Sequence, residues 1–353
     1  MRGSRPITSM WQVSLVRAAL APMCEVAMAF VHDAQHSTEG SGRGRALHVH
    51  GVTCWFQGDY VGARAHLEQA LTVYDREQDH DPAPRFVFED RVVGMGWLAG
   101  ILWPLGEVDQ ATRLLDRALS LAQQRNHIPT IAWAHTYTCR FAAICRKPAL
   151  ARPHAEDLLR LAHKHGLPMR LTEGSFYRGW ARWCAGDGDG ETAIREALAL
   201  WNEMDFRLFM PLTGTLLAER EAEAGRVEAG LATLNAQLAA IERTGERWFH
   251  AEVHRVHGEL LLKLRQPDFA AAESAFRAAI NIARAQHTRT FELRAALSLA
   301  RLNHKTGQHQ RSVDLLAPAL VGFKAGPELP EIEEAQRLLA GASGEKEPAA
   351  NLL

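Results

Sequence analysis

One signature recurs seven times along the 353-residue chain and constrains its fold more than any other feature. A small residue is followed four positions later by a large apolar one, and three further on by a second small one. It reads Ala63/Leu67/Ala70, Ala111/Leu115/Ala118, Ala155/Leu159/Ala162, Gly190/Ile194/Ala197, Gly230/Leu234/Gln237, Ala272/Phe276/Ala279 and Ser312/Leu316/Ala319, with Gln237 the one large last member. Offsets of four and seven place all three residues on one face of a helix. The units start 35 to 48 residues apart, a period that belongs to stacked helical arrays.

A second feature locks the register. Gly58, Gly106, Gly186, Gly225 and Gly307 precede the first member of five units by four or five positions, and Leu150 and Pro267 occupy that place in the third and sixth units. Glycine tolerates positive φ and proline cannot continue a helix, so these positions suit a tight turn. Upstream of each turn lies another apolar-periodic stretch, such as RVVGMGWLAGILW or EVHRVHGELLLKL. Each unit therefore reads as helix, turn, helix, the small residues letting the two helices approach and the large one filling the groove. There is no sustained alternation with β-branched enrichment and no Asn-Gly hairpin. The expected fold is all-α, a right-handed solenoid of about seven hairpins. It divides into an N-terminal helix and Gly/Ser-rich link over 1–43, the repeats over 44–325, a capping helix over 326–340 and a disordered tail over 341–353.

The composition, 47% hydrophobic and 23% charged, supplies ample core. A formal net charge of −1 argues against a chain-wide grip on nucleic acid or on an anionic membrane. The five cysteines are scattered, with no CxxC, which points to a reducing cytoplasm. The opening MRGSRPITSMWQVSLVRAALAPMCEVAMAF is broken by Arg17 and Glu25 and reads as a helix of the fold, not as a signal peptide.

The pattern resembles tetratricopeptide repeats with a longer, less regular unit. RAHLEQALTVYD, RGWARW, GLATLNAQLAAIERTGERWFHAEVHRVHGELLL and AAESAFRAAINIARAQHTRTFELRAALSLARL go further. They resemble the C-terminal repeat arm of bacterial regulators that join an adenylate/guanylate cyclase or DNA-binding domain to an ATPase module, and of MalT- and LuxR-like multidomain regulators. That resemblance covers residues 45 to 340 and implies a regulatory arm that binds other proteins. The chain lacks the GxxxxGK[ST] phosphate loop of such ATPases and any cyclase-like metal-aspartate strand. It is expected to be the arm alone, an adaptor or a remnant of a longer ancestor.

Few constellations carry chemistry. In HAEVHRVHGE, His250, His254 and His257 share a helical face, but Ala251 stands where a zinc protease needs glutamate, so a metal-dependent hydrolase is a lesser alternative. GDGDGE at 186–191 reads as a turn and helix start, because no twelfth-position glutamate completes a calcium loop. HVHG and HKHG are i, i+2 pairs whose rings point to different faces, and HKHG ends in the glycine and proline of a helix C-cap. No GxSxG elbow or motif-bound cysteine suggests a nucleophile. No cofactor or metal ligand set is read, and the chain is expected not to be an enzyme.

Binding is the better prospect. In FYRGWARWC, Trp180 and Trp183 share a face beside Arg178 and Arg182, and first helices of such hairpins line the concave surface. Arg255, Arg301 and His304 fall near the same surface by register. Together these seven residues form the candidate groove for a protein or peptide partner. A small-molecule sensor with its ligand in that concavity is the alternative. A thinly capped N-terminal end predicts a homodimer or docking there. No helix-turn-helix with a basic face suggests direct nucleic-acid contact.

Overall fold

A computed structural model describes residues 4–35, 40–78, 89–323 and 329–342. Among the described residues there are seventeen helices and no strand. Seven hairpins follow the repeat signature: α3 (Gly40–Phe56) with α4 (Tyr60–Gln78), α5 (Asp90–Leu102) with α6 (Val108–Arg125), α7 (Ile128–Ile144) with α8 (Pro148–His165), α9 (Pro168–Cys184) with α10 (Asp189–Glu203), α11 (Met210–Glu223) with α12 (Val227–Thr244), α13 (His250–Leu261) with α14 (Phe269–Ala285), and α15 (Arg289–Lys305) with α16 (His309–Leu320). An additional pair, α1 (Ser4–Val16) and α2 (Leu20–Gln35), precedes them, and α17 (Glu331–Ala342) closes the array.

The signature residues form the hairpin seams. A Cβ on Gly51, Gly174 or Gly258 of a first helix would stand 2.9, 2.8 and 2.6 Å from Leu67, Leu159 and Phe276, the large members of the facing second helices. The exceptional Gln237 is matched in the same way, since a Cβ on Gly214 would meet its amide at 2.7 Å. The five turn glycines all have positive φ, between 75° and 94°.

Two expectations are corrected. Leu150 does not occupy the third turn; it lies inside α8, and Arg146 takes the left-handed position at φ 59°. That conformation disfavours a residue with a Cβ, and the Arg146 guanidinium enters the ion network described below. The N-terminal segment is two helices, not one and a link, and α3 already begins at Gly40. Residues 324–328 and 343–353, which include the start of the expected capping segment and most of the expected tail, lie outside the described residues.

The coil is tight. Each early first helix ends against the start of the first helix five hairpins later. The carbonyl of Val16, ending α1, accepts from the amides of Arg207 and Leu208 just before α11, at 2.8 and 3.1 Å. Phe56, ending α3, accepts from Arg247 just before α13 at 2.7 Å. Pro104, following α5, accepts from the Thr290 amide of α15 at 3.1 Å, and Thr290 Oγ1 donates to the Trp103 carbonyl at 3.2 Å. Helix C-termini leave carbonyls without intrahelical partners, and helix N-termini leave amides in the same condition. Here the orphans of one superhelical turn satisfy those of the next, with the dipoles head to tail. Trp55, Phe56, Trp97, Phe209 and Trp248 fill the axis with ring contacts of 4.6 to 6.5 Å.

Candidate functional site

The inner wall of the first superhelical turn encloses a cavity of about 760 Å³, lined by residues of α1, α3, α4, α5, α7 and α9 and by the segment before α11. Trp133 and Tyr137 stack at 3.7 Å on one wall, with Trp97 edge-on to Tyr137 at 5.0 Å. Trp11 of α1 covers the opposite side, its indole donating to Thr53 Oγ1 at 3.0 Å. α1 is thus both part of the end cap and part of the site.

The floor is ionic. Arg140 lies 3.5 Å from the ring centre of Phe209 and 4.5 Å from that of Tyr137. Its Nη2 is 3.4 Å from Glu173 Oε1, while Arg170 pairs with the other carboxylate oxygen and reaches Thr136 Oγ1 at 3.2 Å. Across the cavity Arg45 binds Asp90. Three arginines face two carboxylates, so the wall is net positive. Burial lowers His48 to about 4, which leaves it neutral. Among the described residues the buried His48 Nδ1, Tyr137 Oη and Arg140 Nε have no hydrogen-bond partner. Such buried polar atoms are rare and mark a place where a ligand or water completes the bonding.

A second recess, of about 460 Å³, lies further along the coil and gathers two of the residues expected from sequence, Trp180 and Arg255. Trp180 is buried there. Trp183 is half-buried, its backbone pressed against Gly190 of α10, and it does not line this recess. Arg255 joins a network around the fully buried Glu252, with Nε 2.8 Å from that carboxylate and further contacts to Glu219 and Glu259. Arg146 and Arg294 reach the same Glu252 at 3.9 and 3.5 Å. Burial alone would raise the Glu252 carboxyl, but Arg255, Arg294 and Arg146 hold it at about 2. Arg301 binds Glu334 of α17 bidentately at 2.6 Å, Arg182 pairs with Asp187 and Asp189, and His304 meets His309 at 2.9 Å. Arg178 is half-buried, its Nε lacking a partner among the described residues. Of the seven residues expected to form one groove, Trp180 and Arg255 line this recess and Arg301 reaches its Glu259 at 3.5 Å.

The histidine face of α13 splits similarly. His250 and His254 meet at 3.1 Å, whereas His257 bonds Asn235 at 3.0 Å. Burial, then the neighbouring His250 and His257, lowers His254 to about 4. The nearby carboxylate is Glu242, 3.9 Å from His250.

Sequence reasoning missed Trp133, Tyr137, Arg140, Arg170 and Glu173. Their signal was present as aromatic and charged residues on the apolar α7 and α9, in the register that lines the interior. Without the tight pitch there was no reason to favour them over Trp180.

No family model matches the chain. An uncharacterized protein of Rhizobium meliloti (strain 1021) is 24% identical over 258 residues, covering 69% of this chain and 24% of its own length. The chain thus spans about a quarter of that relative. Among solved structures, the APC/C hetero-tetramer Cut9–Hcn1 aligns with a TM-score of 0.56 at 13% identity, over 96% of this chain and 56% of that one. Yeast Tom70 aligns with a TM-score of 0.46 at 13% identity, over 92% and 59%. The chain is an all-α solenoid of tetratricopeptide-like repeats. None of its described helices is long and apolar enough to cross a membrane.

Proposed function

We propose that the chain is a non-catalytic, cytoplasmic binding arm whose ligand is a small organic anion with an aromatic or aliphatic body, held in the cavity of the first superhelical turn. The observation that carries this reading is the cavity itself. Its volume falls in the range of ligand pockets, and it joins stacked aromatic walls to a net-positive floor with unpartnered polar atoms. An open groove for an extended peptide has less support, because successive turns contact one another and fill the axis with rings. The resemblance to cyclase–ATPase–repeat regulators extends the reading: ligand occupancy would set how the arm meets an effector protein on its outer face.

The test uses the fluorescent anion 8-anilino-1-naphthalenesulfonate against the full chain. Saturable enhancement is expected in the native protein and its loss in Val93→Trp, which puts an indole in the cavity wall. Enhancement unchanged by a well-folded Val93→Trp rejects the cavity as the site.

A second reading concerns the N-terminal end, where Met10, Val13 and Met28 are exposed. It supports docking to a second copy. Concentration-dependent sedimentation that Met10→Glu with Met28→Glu abolishes is the expected result.

A further inference from the structure

The hairpin of α3 and α4 carries a cluster that the cavity does not use. His50, Cys54 and His66 present one ligand atom each, all within 4.8 Å of one another. His50 and Cys54 are four residues apart and share a face of α3, while His48, two residues from His50, faces the cavity instead. The imidazoles of His50 and His66 stack at 4.4 Å with 19° between their planes. Cys54 is buried and the two histidines half-buried.

Gly51 is the reason these groups meet. A Cβ there would stand 2.9 Å from Leu67 Cγ and 3.2 Å from both the Ala63 carbonyl and His66 Cβ. Only a residue without a side chain lets α4 come near enough to lay His66 against His50. The repeat signature thus builds the cluster as a by-product of the seam. Among the described residues His66 Nδ1 is buried without a hydrogen-bond partner. Burial, then the neighbouring His66, lowers His50. Neutral imidazole is the form that binds metal.

We propose that His50, Cys54 and His66 form a site for a borderline-soft divalent transition ion, with zinc as its natural occupant and water at the fourth position. Two nitrogens and one sulfur are a donor set suited to zinc and poor for calcium or magnesium. Metal–ligand bonds of about 2.0–2.3 Å require donor atoms to draw together by about 1 Å, within the reach of side-chain rotation. On binding, the Cys54 S–H bond breaks, its proton passes to solvent and the sulfur–metal bond forms. Burial, then Asp59 and Cys24, raises the free thiol to about 11, so the ion must supply the stabilisation of the thiolate. Asp59, whose charge acts on both His50 and Cys54, offsets the positive charge left on the site. The occupied site would staple the first repeat hairpin.

The experiment titrates the metal-free, tag-free full chain with Co²⁺. A thiolate-to-cobalt charge-transfer band with tetrahedral visible bands is expected, saturating at one equivalent and bleached by Zn²⁺. Cys54→Ser should lose the charge-transfer band. His66→Gln should weaken binding by about tenfold or more, at least the effect of losing an outer-shell partner. The pairs His135/His154, His250/His254 and His304/His309 offer nitrogen alone and cannot produce the sulfur band. The absence of the band in the native chain, or its persistence in Cys54→Ser, overturns the proposal. Should Cys54→Ser misfold by circular dichroism, the half-buried His50→Gln replaces it: zinc should raise the melting temperature of the native chain and not of this variant. An equal rise in both also overturns it.

Discussion

Arg294 donates from Nη1 to the carbonyl of Ile144 at 2.9 Å and from Nη2 to that of Cys145 at 3.1 Å, across about 150 residues of chain. Those carbonyls end α7 in the first superhelical turn, and Arg294 belongs to α15 in the second. The same guanidinium pairs with Glu331 Oε1 at 2.6 Å and approaches Glu252 at 3.5 Å. One buried cation thus joins two superhelical turns and the closing helix.

Arg294→Met tests that junction. It removes the charge while keeping most of the apolar stem, and it leaves Glu252 and two helix-end carbonyls short of partners. Breaking one partner of a buried ion cluster costs about 3–5 kcal/mol. Urea unfolding should show that loss, and small-angle scattering should show a larger radius as the turns separate. Arg301→Ala is the contrast. Arg301 is 46% exposed and binds Glu334 at the surface, so the change should cost about 0–1 kcal/mol.

This junction also shows what local sequence carries and what it does not. The hairpin seams are local: small residues at fixed spacing predict close approach, and Gln237 against Gly214 shows that one departure is matched by another nearby. The third turn falls at Arg146 and not at Leu150 because nothing in the local sequence marks a non-glycine for positive φ, and the partners of Arg146, Glu219 of α11 and Glu252 of α13, are distant in the chain. The placement of Arg255 toward the interior followed from register. Its pairing with Glu252, Glu219 and Glu259 did not, because Glu252 reads as a polar surface residue until a second superhelical turn covers it. Pitch is a sum of small rotations between neighbouring hairpins. No single residue encodes it, so the central cavity and the closure of α1 over it lay beyond a reading of helix faces.

Two buried carboxylates predict opposite responses to pH. Glu246, between α12 and α13, accepts from the Trp248 indole at 2.7 Å, and burial raises it from 4.5 to about 7 against that bond. A carboxyl raised on folding stabilises the native state fully below its unfolded value and loses that contribution as pH rises from 4.5 to about 7. Glu246→Gln keeps an acceptor for Trp248 and cannot ionise. It should raise stability at pH above this window and flatten the slope within it, read from melting temperatures across pH. Glu252, held at about 2, contributes above 4.5 and loses that contribution as pH falls toward 2. Glu252→Gln should therefore destabilise at neutral pH and remove part of the acid slope.

The seam glycines supply the last prediction, and they separate packing from intrinsic helix propensity. Gly190 of α10 lies against α9 so closely that a Cβ would stand 2.5 Å from the Gly179 carbonyl and 2.5 Å from the Trp183 amide. Both are backbone atoms and cannot turn aside, so Gly190→Ala must push the two helices apart. Overpacking of this kind costs about 1–3 kcal/mol. Gly100, inside α5, is buried with nothing within 4 Å of the site of a Cβ. There alanine removes only the entropic penalty of glycine in a helix, and Gly100→Ala should stabilise by about 0.5–1 kcal/mol. Equilibrium denaturation of the two variants should move the midpoint in opposite directions. A midpoint unchanged or raised in Gly190→Ala would mean that the close approach of α9 and α10 does not depend on Gly190.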